Sequence, residues 1–204
     1  MFTWRVFRGL HAQEQYRRNR ARHPLQYGNL VLQDSWTLWF HQRDRSRSWA
    51  DNLRALINFS TIEEFWDMLN IVLPASHLLV GSDYCVFKEG IVPMWEDKAN
   101  RRGGRWVLKL PRGDRARTLD TMWEETLIAM LDGMFSNSTD ICGAVLNVRG
   151  RFDKISLWVK DSSNKQSVLA IGWNLKECLC LDPDIELQFE AHIDAMMKDT
   201  DNRQ

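Results

Sequence analysis

No run of apolar residues in this 204-residue chain approaches the roughly 20 needed to cross a bilayer, so a membrane-spanning helix is not expected. Net charge is absent too. The 27 basic and 27 acidic side chains cancel, which removes bulk electrostatic attraction to nucleic acid and leaves only local clustering as a route to a polyanion. The four cysteines, Cys85, Cys142, Cys178 and Cys180, form no C-x-x-C pair, and no histidines stand at zinc-finger spacing. Buried free thiols in a reducing cytosol are the expectation, with no metal and no cofactor. Carboxylates are scattered, the five histidines have no partner at useful spacing, and Gly103-Gly104 is a turn rather than a phosphate-cradling loop. Nothing resembles a catalytic constellation, so no catalytic residue is assigned and an enzyme is not expected. Serine is missing from the first 22 residues, although Arg5, Arg8, Arg17, Arg18, Arg20 and Arg22 face Glu14 alone there. That composition suits a mobile basic arm over 1–22 better than a transit peptide. There is no internal repeat and no low-complexity segment.

What the chain has in excess is tryptophan: ten in all. Trp36, Trp39, Trp49, Trp66, Trp95, Trp106, Trp123 and Trp158 fall at irregular spacing, more indole than a core needs. One lies in Pro93-Met94-Trp95-Glu96-Asp97, where an indole is followed at once by a carboxylate. Such a pair can stack on a flat heterocycle and accept hydrogen bonds from its edge. Trp49 lies in the polar stretch Arg47-Ser48-Trp49-Ala50-Asp51, which suits a loop rather than a core.

Helical periodicity marks three segments. Ser60, with Glu63 three residues on, reads as a capping box for Thr61–Leu73, and apolar stripes extend over Leu119–Phe135 and from about 163 to 179. Period-two alternation marks strands at Trp36–Phe40, Tyr84–Lys88, Arg105–Leu110, Gly143–Arg149, Lys154–Lys160 and Glu186–Glu190. The pattern predicts an α+β fold, an antiparallel sheet with helices on one face and the other face open. Along Arg105–Leu110 the alternation puts Arg105 and Lys109 opposite Trp106, and Asn147 and Arg149 share a face, so cations gather on the open side.

The tryptophan spacing, together with His23-Pro24-Leu25, Pro93-Met94-Trp95-Glu96-Asp97, Gly103-Gly104-Arg105-Trp106, Cys142-Gly143-Ala144-Val145 and Asn147-Val148-Arg149, resembles the eukaryotic translation initiation factor 4E family. The likeness covers about 23–198, followed by a short tail at 199–204. It implies a curved eight-stranded antiparallel sheet with three helices on its convex face, and binding of the 7-methylguanosine cap of messenger RNA in the cytoplasm. By the resemblance the base lies between Trp49 and Trp95, Glu96 accepts from the guanine edge, and Trp158 sits near the methyl group. Arg149 and Lys154 take the phosphates, with Arg105 and Arg151 beside them. A methylated, cationic base between indoles gains about 0.5–2 kcal/mol of cation–π attraction.

The resemblance also implies a docking surface for a helical peptide of a 4G-type initiation scaffold or a 4E-binding protein. The matching residues are His23, Pro24, Ile62, Trp66, Glu125 and Ile128. A monomer, free of membrane, is the expected state. After Leu131 the family usually has glycine and then glutamate, where this chain has Asp132 and Gly133, so weaker scaffold binding is expected. The alternative function is a cap-binding translational repressor or specialised paralogue. Lys88-Glu89-Gly90 and Trp95-Glu96-Asp97 resemble that branch, whereas Trp36 and Trp49 favour the initiation branch.

Overall fold

The computed structural model describes residues 30–44, 46, 48–113, 115–182 and 185–194. The basic arm, His23, Pro24 and the tail at 199–204 lie outside them. Among the described residues seven strands form one antiparallel sheet: β1 (Val31–Gln42), β2 (Leu53–Thr61), β3 (Ser82–Lys88), β4 (Gly104–Pro111), β5 (Ile141–Asn147), β6 (Phe152–Val159) and β7 (Leu187–Ala191). Their order across the sheet is β2-β1-β3-β5-β6-β4-β7. That is one strand fewer than the eight the resemblance implies. Strand β2 carries no clear alternation because it is an edge strand whose middle residues Arg54, Ala55 and Leu56 are all exposed.

Three α-helices accompany the sheet: α1 (Ile62–Ile71), α2 (Arg115–Leu131) and α3 (Lys165–Cys178). The capping box sits one residue later than its sequence signature. Thr61 Oγ1 accepts from Glu64 N–H, and the Glu64 carboxylate reaches back to the Thr61 and Ser60 amides. Helix α2 begins and ends four residues earlier than its apolar stripe predicts. Gly133, with φ +66°, takes the left-handed conformation beyond its last turn, and Met134 N–H closes back onto the Ala129 carbonyl. Helix α3 opens on Asn164, whose side chain accepts from Ser167 N–H.

The helices cover one face of the sheet. Trp36 and Leu38 of β1, Val86 of β3, Ala144 and Leu146 of β5, Ile155 and Leu157 of β6, and Leu108 of β4 share a buried core with Phe65, Met68, Leu119, Trp123, Leu127, Ile171 and Leu175. Trp106 joins them in a specific way. Its indole Nε1 donates to the Val168 carbonyl at 2.9 Å, and its ring lies against Gly172, where a β-carbon would come within 2.5 Å of Cζ2. Glycine is required there because helix and indole touch.

The opposite face carries the alternate residues of the same strands. The pairing aligns them in rows: His41, Asp83, Asn147, Lys154 and Lys109; then Trp39, Cys85, Val145, Ser156, Val107 and Gln188; then Thr37, Phe87, Gly143, Trp158, Arg105 and Glu190. A small second cluster of Cys85, Phe87, Cys142, Val145 and Trp158 floors its middle. Burial pushes the Cys142 thiol up to about 12 and raises the Cys85 thiol well above its ordinary range, so both stay neutral and pack as small side chains.

Candidate functional site

Two loops that leave the sheet at opposite ends of the strands carry Trp49 and Trp95, and the two indoles make no ring contact with each other. Beyond Gln42 the chain turns back through a short helical turn, Ala50–Asn52, before entering β2. The Ser48 hydroxyl donates to the Asp51 carboxylate and accepts from the Asp51 backbone N–H, and Asn52 Nδ2 donates to the Asp44 carbonyl. Trp49 projects from this loop with 41% of its surface exposed, its ring stacked on that of His41 at 5.0 Å between centroids and 21° between planes.

The second loop leaves β3 at Lys88 and returns into β4 at Gly104, carrying Trp95 half-buried and Glu96 exposed. Asp97 and Asn100 knit it together. The Asp97 carboxylate accepts from the Val92 and Ala99 amides, and Asn100 Nδ2 donates to the Val92 and Met94 carbonyls. The loop is tied to the sheet through His192, whose Nδ1 lies 2.8 Å from the Asn100 carbonyl and whose ring packs 4.2 Å from that of Trp158. Burial lowers the His192 imidazole below its usual range, against the pull of that carbonyl. A neutral ring with Nδ1–H donating to Asn100 fits both facts. Glu96, by contrast, makes no hydrogen bond or ion pair with any described residue, leaving both oxygens for a ligand's donors.

Trp158 is 5% exposed and forms part of the floor, its edge against Phe87 at 5.4 Å. Its indole nitrogen, like those of Trp39 and His192 Nε2, is buried without a protein partner. Buried polar atoms left open are the exception in folded proteins; here the two indole nitrogens are donors, and Nε2 of a His192 protonated on Nδ1 is an acceptor.

The cations are held differently from one another. Arg149 grips Asp83 with two nitrogens, Nη1 to Oδ1 at 2.6 Å and Nη2 to Oδ2 at 3.2 Å, and Nη1 also reaches the Ser82 and Val148 carbonyls. Burial of Asp83 would raise its pKa. The close His41 nitrogen, the hydrogen bonds from Arg149 and Asn147, and the Arg149 charge outweigh it and hold the carboxyl below its ordinary range. Asp153, buried at the start of β6, fixes the turn from below by accepting the Arg149 backbone N–H and pairing with Arg115.

Arg105 is paired with Glu190 at 2.8 Å, and Glu190 is held below the usual glutamate range by Arg105, with Lys154 and Lys109 adding to the effect against burial. Lys154, directly across from Lys109 and Asn147, is half-buried and makes no hydrogen bond or ion pair with a described residue. Arg151 is exposed on the turn before β6, its guanidinium 5.3 Å from the Phe152 ring. The open face and the two indole-bearing loops at its ends therefore carry an unpaired carboxylate and several cations, of which Arg105 and Arg149 have their guanidinium planes fixed by acids.

A model of the family described as eukaryotic initiation factor 4E matches residues 31–204. The chain belongs to that family. It is 46% identical over 168 residues to eukaryotic translation initiation factor 4E of Aplysia californica, covering 82% of this chain and 78% of that one. The human factor of the same name is 43% identical over 176 residues, covering 86% and 81%. Among solved structures, Ascaris suum eIF4E-3 in complex with an m2,2,7G cap superposes with a TM-score of 0.79 at 43% identity, over 81% of this chain and 92% of that one. The C. elegans eIF4E-3 complex with the 4E-binding protein Mextli and a cap analogue gives 0.80 at 40% identity, over 83% and 96%.

Of the docking residues matched to the family, Ile62 opens α1 and is half-buried, and Trp66, one turn on, is 6% exposed and packs on Phe65. Glu125 and Ile128 are half-buried on α2, one turn apart. Sequence reasoning passed over His41, Asp83, Glu190 and His192. Their partners lie in other strands or in a distant loop, so no spacing along the chain reveals them. Strand parity could have placed His41 on the open face beside Trp39. Pairing it with Asp83 needed the register.

Proposed function

We propose that this open face binds the 7-methylguanosine cap of messenger RNA and that the protein brings capped messages to translation initiation. The observation that carries the reading is the loop holding Trp95 and Glu96, with its unpaired carboxylate, leaving the sheet at the end where Arg105 lies, while exposed Trp49 stands at the other end with Lys154 in the row of His41 and Arg149 just beyond β5. Two indoles suit a flat cationic base. Glu96 suits the two N–H donors of guanine, a pair that adenine lacks. Arg149 and Lys154, with Arg105 and Arg151 at the margin, suit a chain of phosphates. Relatives whose names or structures speak of initiation, cap and cap analogue point the same way.

Binding rather than catalysis is the proposed role. The four cysteines, all free, fit a reducing compartment such as the cytosol, and no helix among the described residues is long and apolar enough to cross a membrane. On the helical side, Ile62, Trp66, Glu125 and Ile128, with His23 and Pro24, are proposed to receive a helical peptide of a 4G-type scaffold or of a 4E-binding protein, the class named in the Mextli complexes. A repressor or specialised paralogue with weak scaffold binding is the alternative, and a pull-down with a scaffold peptide separates the two. For the cap itself, tryptophan fluorescence on titration with 7-methylguanosine triphosphate and with unmethylated GTP is the test. Strong quenching by the methylated ligand alone is expected. Equal response to both would remove the cationic-base argument.

A further inference from the structure

The imidazole of His41 touches both halves of the face. It is 3% exposed, its plane lies nearly parallel to the Trp49 indole, and its Nδ1 stands 3.1 Å from Asp83 Oδ2. We infer that His41 is a positioning residue that couples the base platform at Trp49 to the phosphate-holding guanidinium of Arg149, with Asp83 as the link; this rests on the cap reading of the open face.

The indole of Trp49 has two faces, and His41 backs one of them. A ligand base stacked on the other presses the indole against a ring that is itself buried. Asp83 in turn sets the plane of Arg149. Both hydrogens on Arg149 Nη1 and one on Nη2 are committed to Asp83 and to the Ser82 and Val148 carbonyls, which leaves Nε–H and the second Nη2–H for an incoming oxyanion. Asp83 holds this pose because its own orientation is fixed by Asn147 at 2.9 Å on Oδ1 and by His41 on Oδ2. His41 Nδ1 stands 3.1 Å from Asp83 Oδ2 without the alignment of a hydrogen bond, and it makes no hydrogen bond elsewhere, so the contact acts by proximity of the ring nitrogen to the carboxylate. Loosening either side of the imidazole therefore disturbs a different half of the site.

The two roles separate chemically. Phenylalanine at position 41 would keep a ring under Trp49 and lose the polar contact. Asparagine would place its amide nitrogen close to where Nδ1 stands and lose the stack. The full chain and the variants His41→Phe and His41→Asn are titrated by tryptophan fluorescence with 7-methylguanosine and with its 5′-triphosphate, and folding is followed by circular dichroism. His41→Phe should shrink the triphosphate-to-nucleoside affinity ratio by about three- to tenfold, as for weakening a hydrogen bond to a charged group. His41→Asn should restore that ratio to within about twofold of wild type while lowering nucleoside affinity about two- to tenfold, the worth of a ring pair. An unchanged ratio in His41→Phe, or equal loss for both ligands in both variants, would overturn the coupling. Unfolding of His41→Phe would also overturn it, because the polar contact would then serve the fold. Wild-type protein that binds neither ligand would strike the cap reading itself, a result distinct from wild-type binding that the variants leave untouched.

Discussion

Removing Arg149 should damage the protein before it damages a ligand contact. Asp83 is 1% exposed, and Arg149 supplies two of its hydrogen bonds together with the compensating positive charge. In Arg149→Ala the carboxylate stays buried with His41 and Asn147 alone. Breaking a fully buried pair costs about 3–5 kcal/mol. The Arg149 side chain is 40% exposed, so water takes over part of its role, and a cost of about 2 kcal/mol is the better expectation. For a chain of this size that corresponds to a fall in Tm of about 4–8 °C.

The pH dependence follows from the sign of the Asp83 shift. Its folded pKa is depressed, so the network contributes stability above the pKa of an unfolded aspartate and loses it as pH falls through the lower folded value. Without Arg149 the folded value rises and acid unfolding begins at higher pH. Thermal melts of wild type, Arg149→Ala and Arg149→Ala with Asp83→Asn between about pH 3 and 8 check this. The double variant should recover most of the lost Tm at neutral pH, since a neutral amide replaces the stranded charge. Arg149→Ala melting with wild type, or Asp83→Asn failing to rescue it, would refute the account of Asp83 as a charge held in place by the arginine.

Lys154→Ala gives the cleaner phosphate test, because Lys154 bonds to no described side chain: it should weaken binding of cap triphosphate far more than monophosphate and flatten the salt dependence, with Tm nearly unchanged. Glu96→Gln should weaken binding of the 7-methylguanosine nucleoside by about 1–3 kcal/mol in a fluorescence titration, since an amide N–H would face the donors of the guanine edge; equal affinity would make the carboxylate a bystander. Glu124, half-buried on α2, has its pKa raised by burial and then by Asp120 and Glu125, so its charged form destabilises the fold. Its favourable share is present at low pH and lost as pH rises through the folded value, so Glu124→Gln should raise Tm at pH 7 and lose that advantage below about pH 4. Asp132→Gly with Gly133→Glu, which restores the family's usual order, should strengthen a scaffold peptide in calorimetry yet lower Tm, because the introduced glutamate would have to take the φ of +66° that Gly133 accepts freely; a variant as stable as wild type would mean the helix end rearranges.

Much of the architecture was readable because it rests on period. Trp106, Leu108 and Leu110 point to the helices and Arg105 and Lys109 away from them, as alternation required. Strand β2 was missed since an exposed edge strand has no apolar face to alternate, and the early end of α2 is set by a left-handed glycine that an apolar stripe cannot locate. The family's motifs identified the loop holding Trp95 and Glu96. What holds that loop was hidden. Asn100 bonds two carbonyls within the loop and offers its own carbonyl to His192, ninety-two positions away, a contact fixed only by the register of β7 on β4.

The acids among the cations bear on how a chain with no net charge would present the proposed phosphate site. Glu190 beside Arg105 and Asp83 beside Arg149 subtract from the local field, and long-range steering of an anion is weaker for it. Each acid removes freedom from a guanidinium instead, fixing its plane before a ligand arrives and lowering the ordering cost of binding. Lys154 makes no hydrogen bond or ion pair with a described residue and lies across from Asn147 and Lys109, so its charge is less compensated than that of either paired arginine. Recognition on such a face depends on aimed donors more than on field strength. Salt should therefore weaken the Lys154 contribution more steeply than that of either paired arginine.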